Sequence, residues 1–260
     1  MTSAANYSPF KNTGWVWART KAILIVLGII IGAVITGLVL SLLGILGIDL
    51  ATHTAPTSTA GTPTTAFLLA SGLNELGYAV FAIGLLKWKP NLLTSLPTLR
   101  RPTRRDALWI GGGLIVMLGG EFAITHLFAA FHVPTARNGA SVAATAHASP
   151  LMFSGLIIIS LVIIGPSEEL LFRGLVQGHL RSFFSAPSAV LLASFLFAGV
   201  HVLAVQGSAT GVLNTILSLF ALALVLGIAY ERTDSLLVPV VIHGCYDAIL
   251  FASLGASILH

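Results

Sequence analysis

Long apolar runs recur along the whole chain. Their lengths are close to or above the roughly 20 residues that carry an α-helix across the hydrocarbon core of a bilayer. Because a helix in lipid pairs its own backbone groups, such runs restrict the chain to a bundle of membrane-spanning helices. The sequence therefore predicts an all-α, polytopic transmembrane bundle. Its seven expected spans cover residues 22–48, 65–86, 107–131, 151–185, 187–205, 211–230 and 236–257.

Charged residues are too few to cover a water-exposed surface. Only 8% of the 260 residues are Asp, Glu, Lys or Arg, whereas a soluble domain carries about 25%. A soluble fold is therefore excluded, and the lipid bilayer is the expected environment. The single cysteine, Cys245, also excludes an intramolecular disulfide.

Basic residues cluster beside particular apolar runs. Because Lys and Arg concentrate in cytoplasmic loops, we expect the amino terminus and the loop after the second span to be cytoplasmic. The loop that ends near His147 carries only Arg137 as a permanent charge and is expected on the opposite side. This pattern explains the basic composition without a nucleic-acid partner, and the expected location is the plasma membrane of a prokaryote. The basic residues of the loop are Lys87, Lys89, Arg100, Arg101, Arg104 and Arg105.

Gly165–Pro166 interrupts the fourth run. Proline is tolerated in the first turn of a helix and Ser167 is a favourable capping residue, so we expect the helix to restart here. One bent span gives seven crossings in total, whereas a split gives eight. We divide the chain into an amino-terminal membrane region, residues 1–150, with about three spans and the basic loop, and a helical core, residues 151–260.

Two adjacent glutamates and an arginine follow this interruption. Glu169 and Arg173 are four residues apart, so they share a helix face in the order that favours an ion pair. Glu168 lies about 100° around the helix and is free to face a cavity. A simple buried ion pair would account for the same residues without a catalytic role.

Two histidines occur at membrane depth in the following spans. His201 lies four residues after Phe197, and His243 lies four residues before Asp247. A single histidine in an apolar helix is more often a packing residue, and Cys245 lies on a different helix face from His243. Together, however, the three groups offer a general base, imidazoles that bind water or metal, and oxyanion donors. This combination favours hydrolysis of an acyl bond.

The ordered motifs E-E-x-x-x-R, F-x-x-x-H and H-x-x-x-N/D on consecutive apolar helices resemble the CPBP family of intramembrane proteases, also called the CAAX protease and bacteriocin-processing or Abi family. The resemblance covers about residues 151–254. It implies that the 151–260 core is a catalytic endopeptidase unit. It further implies a membrane-associated substrate, such as a prenylated or leader-bearing peptide or a membrane protein, cut by a glutamate-activated water.

The resemblance also assigns roles to the site residues. Glu168 would activate water, Glu169 and Arg173 would shape its surroundings, and His201 would hold the water. His243 and Asp247 would bind water or stabilise the oxyanion, although Asp247 stands where other members often have Asn. A divalent metal such as zinc, held by His201 and His243, is one expectation, and a metal-free water is the other.

Two other functions fit parts of the sequence. A non-catalytic membrane scaffold or bacteriocin-immunity protein could share the same fold. A proton-coupled transporter could use Glu75 and Glu121 on the second and third spans, although hydrogen bonds between helices explain these acids more simply. The protease hypothesis places the opening of the site on the cytoplasmic side. His201 lies about 13 residues into its span. It can therefore reach Glu168 only if its helix is strongly tilted or begins inside the membrane.

Overall fold

The chain forms a helical membrane protein in a computed structural model that describes residues 13–52, 64–92 and 100–260. Within these residues, seven helices are long and apolar enough to cross a membrane, which confirms the predicted class. Most of the loop expected near residues 49–65 lies outside the described ranges. The spanning helices are α1 (Thr13–Thr52), α2 (Thr64–Trp88), α3 (Arg104–Ala130), α5 (Pro150–Arg181), α6 (Ala186–Val200), α7 (Ala209–Thr233) and α8 (Leu237–Leu259).

A short non-spanning segment joins α3 to α5. It contains strand β1 (Arg137–Asn138) and helix α4 (Gly139–Ala146), where only a loop was expected. β1 pairs antiparallel with β2 (Val205–Gln206), with Arg137 opposite Gln206. The side chain of Asn138 caps α4 by accepting a hydrogen bond from the amide of Ala140. Residues 131–149 therefore lead from α3 to α5, and the pairing of β1 with β2 holds them against the segment that follows α6.

α5 is a single continuous helix, so the prediction of a restart at Gly165–Pro166 is wrong. The helix has π-helical turns over Ser160–Ile164 and Leu170–Gln177, with an α-helical turn between them. Ser167 lies inside the helix and caps nothing, since no side-chain cap is formed at this turn. The wider π turns accommodate the proline, which lacks an amide hydrogen. The described residues therefore support seven spans rather than eight.

Glycines bring α5 and α8 into close contact beside this bend. A Cβ on Gly165 would lie 3.0 Å from the backbone nitrogen of Gly244, and a Cβ on Gly244 would lie 3.0 Å from the carbonyl oxygen of Ser160. Small residues allow such close packing of helix backbones in membranes. This contact fixes the position of α8 against the segment of α5 that carries the paired glutamates.

Polar contacts join the helices at one end of the bundle. Arg100 donates to both carboxylate oxygens of Asp106, at 2.6 and 2.9 Å, and to the carbonyl of Thr233 at 2.8 Å. Arg181 pairs with Glu231 at 3.1 Å. We call this the basic end; it holds the starts of α1, α3, α6 and α8 and the residues Lys87, Lys89, Arg100, Arg101, Arg104 and Arg105. The opposite, far end holds the ends of α3, α6 and α8.

Candidate active site

Three helices bring the six predicted site residues into one cluster. α5 supplies Glu168, Glu169 and Arg173, the 3₁₀ turn directly after α6 supplies His201, and α8 supplies His243 and Asp247. Each of the six lies within 4.0 Å of at least one other member of the cluster. The motifs are thus neighbours in space, as the hydrolase hypothesis requires.

The carboxylate of Glu168 lies between the two imidazoles. Its Oε1 is 4.0 Å from Nε2 of His201, and its Oε2 is 3.8 Å from Nε2 of His243. Glu168 is only 6% exposed, and its Oε2 has no hydrogen-bond partner among the described residues. These separations are too long for direct hydrogen bonds and suit a bridging water placed beside both gaps.

Glu169 and Arg173 form the predicted ion pair, with 3.0 Å between Oε1 and the guanidinium. Both side chains are fully buried. The second guanidinium nitrogen of Arg173 donates to the carbonyl of Ala223 on α7 at 3.0 Å. The guanidinium also stacks over the ring of Phe197, 4.7 Å from its centroid. Because each charge has a partner, the pair can remain ionised inside the bundle.

Glu169 also fixes the orientation of His243. The same Oε1 atom lies 2.8 Å from Nδ1 of His243. An ionised carboxylate only accepts, so Nδ1 carries the hydrogen and Nε2 faces Glu168. On the other side of the ring, Oδ2 of Asp247 lies 3.4 Å from Nε2. The carboxylate of Asp247 is therefore placed to orient or pair with His243.

His201 is fixed by its own helix. Its Nδ1 lies 2.7 Å from the carbonyl oxygen of Phe197, which can only accept, so Nε2 of the neutral ring is an acceptor facing Glu168. The ring of Phe197 packs against both imidazoles, with centroid distances of 4.6 Å to His201 and 5.9 Å to His243. The helix changes to a 3₁₀ turn at His201–Leu203. His201 thus reaches Glu168 despite its late position in the span.

Further polar groups surround the cluster. Asn74 on α2 donates to Oε1 of Glu75 at 3.3 Å, while Oε2 of Glu75 is buried with no hydrogen-bond partner among the described residues. Glu75 is close enough to interact electrostatically with Glu168, His201 and His243. The sequence marked Glu75 only as an acid at membrane depth, because no spacing rule links α2 to α5. The carbonyl of Ala223, which supports Arg173, carried no sequence signal.

Glu121 has the simpler role expected for it. It accepts hydrogen bonds from the hydroxyl of Tyr246 at 3.3 Å and from Thr125 at 3.2 Å. Tyr246 lies on α8 and Glu121 on α3, so this contact is a hydrogen bond between helices. Cys245 is a free thiol that forms none of the site contacts described above.

The site residues fit a metal poorly. The described ranges hold no group of three or more His, Cys, Asp or Glu side chains arranged to bind a metal ion. A catalytic zinc is commonly held by three protein ligands, whereas His201 and His243 offer two imidazole nitrogens. The assignment of these histidines as metal ligands stays a prediction.

The family comparison covers the segment that contains the site. Residues 150–249 match the model of the family described as type II CAAX prenyl endopeptidase Rce1-like. Comparisons with curated proteins and with solved structures find no match. The matched segment contains all six site residues and begins where the CPBP resemblance was expected. Residues 150–249 are therefore similar to this family, and the similarity supports the fold of a CAAX-type intramembrane protease for the segment that holds the site.

Proposed function

We propose that this chain is an intramembrane endopeptidase that hydrolyses a peptide bond of a membrane-associated substrate with a water activated by Glu168. One observation carries this proposal. The two oxygens of the Glu168 carboxylate face two different imidazoles, at 4.0 and 3.8 Å, in a buried site. A water bound between Glu168 and the two histidines can contact a base and two ring nitrogens at once.

The first step is attack of this water on the scissile carbonyl. The water donates one hydrogen to Glu168 and the other to Nε2 of His201, which aligns its lone pair with the carbonyl carbon. Glu168 removes a proton as the C–O bond forms. General-base catalysis of this kind contributes roughly 10²- to 10⁴-fold.

The second step is collapse of the tetrahedral intermediate. A protonated His243 donates from Nε2 to the oxyanion, while its Nδ1–H stays bonded to Glu169. Glu168 then returns its proton to the departing amine nitrogen as the C–N bond breaks. The hydroxyl of the water thereby becomes part of the new carboxyl group and its other hydrogen passes to the amine. The carboxyl group then loses its proton to the amine or to solvent, and Glu168 returns to its starting state.

Glu169, Arg173 and Asp247 act as positioning residues for His243. Arg173 compensates the charge of Glu169, which accepts from Nδ1, and Asp247 lies on the other side of the ring. This pairing supports a positioning role for Asp247 rather than direct contact with the developing oxyanion. The carboxylate of Asp247 is directed at the imidazole, with Oδ2 3.4 Å from Nε2.

An apolar groove supports a hydrophobic or lipidated substrate. The groove lies between α2 and α5 and has a volume of about 440 Å³. Its lining includes Leu76, next to Glu75 in sequence, and Ile163, five residues before Glu168. An acyl or prenyl chain, or part of a transmembrane segment, could occupy it. It is lined by Leu68, Leu69, Gly72, Leu73, Leu76, Ile159 and Ile163.

Cleavage of membrane peptides by the purified protein tests the proposal. We expect hydrolysis of fluorogenic peptides that carry a hydrophobic segment or a lipid, and its loss in Glu168→Gln. Glu121→Gln is the matched control, since Glu121 is also an acid at membrane depth but, among the residues that the structure describes, bonds to Tyr246 and Thr125 and to no member of the site. Proton flux driven by a substrate, without cleavage, would instead support the transporter hypothesis.

A further inference from the structure

One face of α2 packs against α1. A Cβ on Gly37 of α1 would lie 2.6 Å from the carbonyl oxygen of Asn74 and 3.0 Å from the ring of Tyr78. A Cβ on Gly77 would in turn lie 2.6 Å from the backbone nitrogen of Gly37. Small residues permit such close approach of helix backbones in membranes. Asn74, Gly77 and Tyr78 therefore belong to the face of α2 that α1 covers.

A second face of α2 packs against α5. A Cβ on Gly155 of α5 would meet the side chain of Leu68, and a Cβ on Gly72 would lie 3.6 Å from the side chain of Ile163. Leu68, Gly72 and Glu75 follow the i, i+4, i+7 spacing that places residues on one helix face. Glu75 therefore lies on the face of α2 that is turned toward α5, and not on the face that meets α1.

The register of α2 and α5 brings Glu75 close to Glu168. Contacts between the two helices advance toward the carboxyl end of both, so the turn after Gly72 lies beside the turn after Ile163. The first of these turns carries Glu75, and the second reaches Glu168. The segment Gly165–Glu169 of α5 contacts α2 directly, and Glu75 is within electrostatic range of Glu168. A fourth helix thus contributes a carboxylate to the surroundings of the site.

One oxygen of the Glu75 carboxylate is available for a further hydrogen bond. Its Oε1 accepts from Nδ2 of Asn74 at 3.3 Å. Its Oε2 is buried and has no hydrogen-bond partner among the described residues. Buried polar atoms are nearly always hydrogen-bonded, and a carboxylate oxygen is an acceptor. The partner that suits Oε2 is therefore an N–H or O–H group that enters the site beside Glu168.

The apolar groove between α2 and α5 ends at this carboxylate. Its wall on α2 includes Gly72 and Leu76, which flank Glu75, and its wall on α5 includes Ile163. The described residues that line it are all apolar, so they offer no side-chain acceptor to the N–H groups of a peptide. A substrate with its apolar anchor in the groove thus brings its backbone past Glu75 on the way to Glu168.

We propose that Glu75 is a substrate-binding residue of this site. Its Oε2 accepts a hydrogen bond from the backbone N–H of a substrate residue that lies between the apolar anchor and the scissile bond. Because an unpaired N–H is costly in an apolar environment, this bond holds the peptide in place and fixes the scissile carbonyl near Glu168. The inference rests on the proposed endopeptidase function. Since Glu75 lies outside residues 150–249, the amino-terminal region supplies part of the substrate site.

Substrates that lack one backbone N–H test this inference. In a cleaved membrane peptide, each amide near the scissile bond, apart from the scissile amide itself, is replaced in turn by an ester, which removes the N–H and keeps the side chains. With the unmodified protein, one of these replacements should lower kcat/KM by about tenfold, as expected for a hydrogen bond to a carboxylate. Glu75→Leu should lower kcat/KM by a similar factor for the all-amide peptide. The same ester should then cause no further loss.

Two further variants separate this bond from effects on folding. Glu75→Gln keeps the size of the side chain and the bond to Asn74, which holds the amide oxygen and leaves the amide nitrogen in place of Oε2. The effect of the ester should therefore disappear again. Glu121→Leu removes a carboxylate that bonds to Tyr246 on α8, and it should retain the effect of the ester. A change that only disturbed the packing of α2 would lower the rates for all peptides in proportion.

Two results would overturn the inference while the endopeptidase function stands. One is cleavage by the unmodified protein that no single ester replacement weakens, and the other is an equal loss on ester replacement in the unmodified protein and in Glu75→Leu. Absence of cleavage by the unmodified protein would instead contradict the proposed function. The Kd of each peptide for the purified protein is then compared. Weakening by the ester that Glu75→Leu abolishes still supports the contact, and weakening that persists, or none at all, contradicts it.

Discussion

Arg173 and His243 share one acceptor atom, Oε1 of Glu169, at 3.0 and 2.8 Å. A buried charge on α5 is thereby neutralised by a residue of its own helix, and the same carboxylate orients a ring on α8. The ion pair is thus both a stabilising contact and a support for the proposed mechanism. These two roles can be separated by substitution.

Arg173→Met should destabilise the protein by about 3–5 kcal/mol, because it leaves the buried carboxylate of Glu169 without its partner. The double variant Glu169→Leu/Arg173→Met should recover much of that stability, since no charge remains unpaired. It should stay inactive, because His243 has lost its acceptor. Unfolding in detergent and peptide cleavage measure the two effects. An active double variant would show that Glu169 does not position His243.

His201→Gln should lower the cleavage rate by roughly 10²-fold. The amide oxygen can accept a hydrogen bond, but it lacks the ring that the carbonyl of Phe197 holds in place, so it does not align the water. The chain provides a matched control in His126. Its Nδ1 lies 2.8 Å from the carbonyl of Phe122, and its ring is 3.9 Å from that of Phe122, which repeats the local arrangement of Phe197 and His201 outside the site. His126→Gln should therefore retain activity. Equal loss in both variants would argue that His201 only supports its helix.

Gly244→Ala should reduce both stability and activity. The added Cβ would lie 3.0 Å from the carbonyl oxygen of Ser160 and 3.2 Å from Cα of Leu161, so α8 must move away from α5 and carry His243 from Glu169. Overpacking of this kind costs about 1–3 kcal/mol. Gly119→Ala, with no atom within 4 Å of its added Cβ, is the control. Thermal unfolding and the rate of cleavage of a membrane peptide are the measurements. An unchanged cleavage rate in Gly244→Ala would show that the contact between α5 and α8 does not position the site.

Treatment with a strong chelator should leave cleavage intact, since the proposed mechanism uses Glu168 and two imidazoles without a metal. Activity is compared before and after exhaustive chelation, with zinc then added back. A loss of cleavage that added zinc restores would contradict this expectation. If bound metal were also absent from His201→Gln and His243→Gln, the two histidines would be metal ligands.

Contacts within one helix follow from residue spacing, and the meeting of the three motifs follows from the family resemblance, whereas the other contacts between helices were not predictable from the sequence. The spacing of Glu169 and Arg173 predicted their ion pair, and apolar length predicted the spans. Ser167 was misassigned as a cap because continuity of α5 depends on its π turns. The support from Ala223 and the approach of Glu75 depend on neighbouring helices, which no spacing rule specifies.

The cleavage rate of Glu168→Gln tests the central claim most directly. This variant keeps the size of the side chain and removes the base, so its rate should fall by roughly 10²-fold or more while the protein remains folded and inserted. Cleavage by Glu168→Gln at the rate of the unmodified protein would contradict the assignment of Glu168 as the group that activates water.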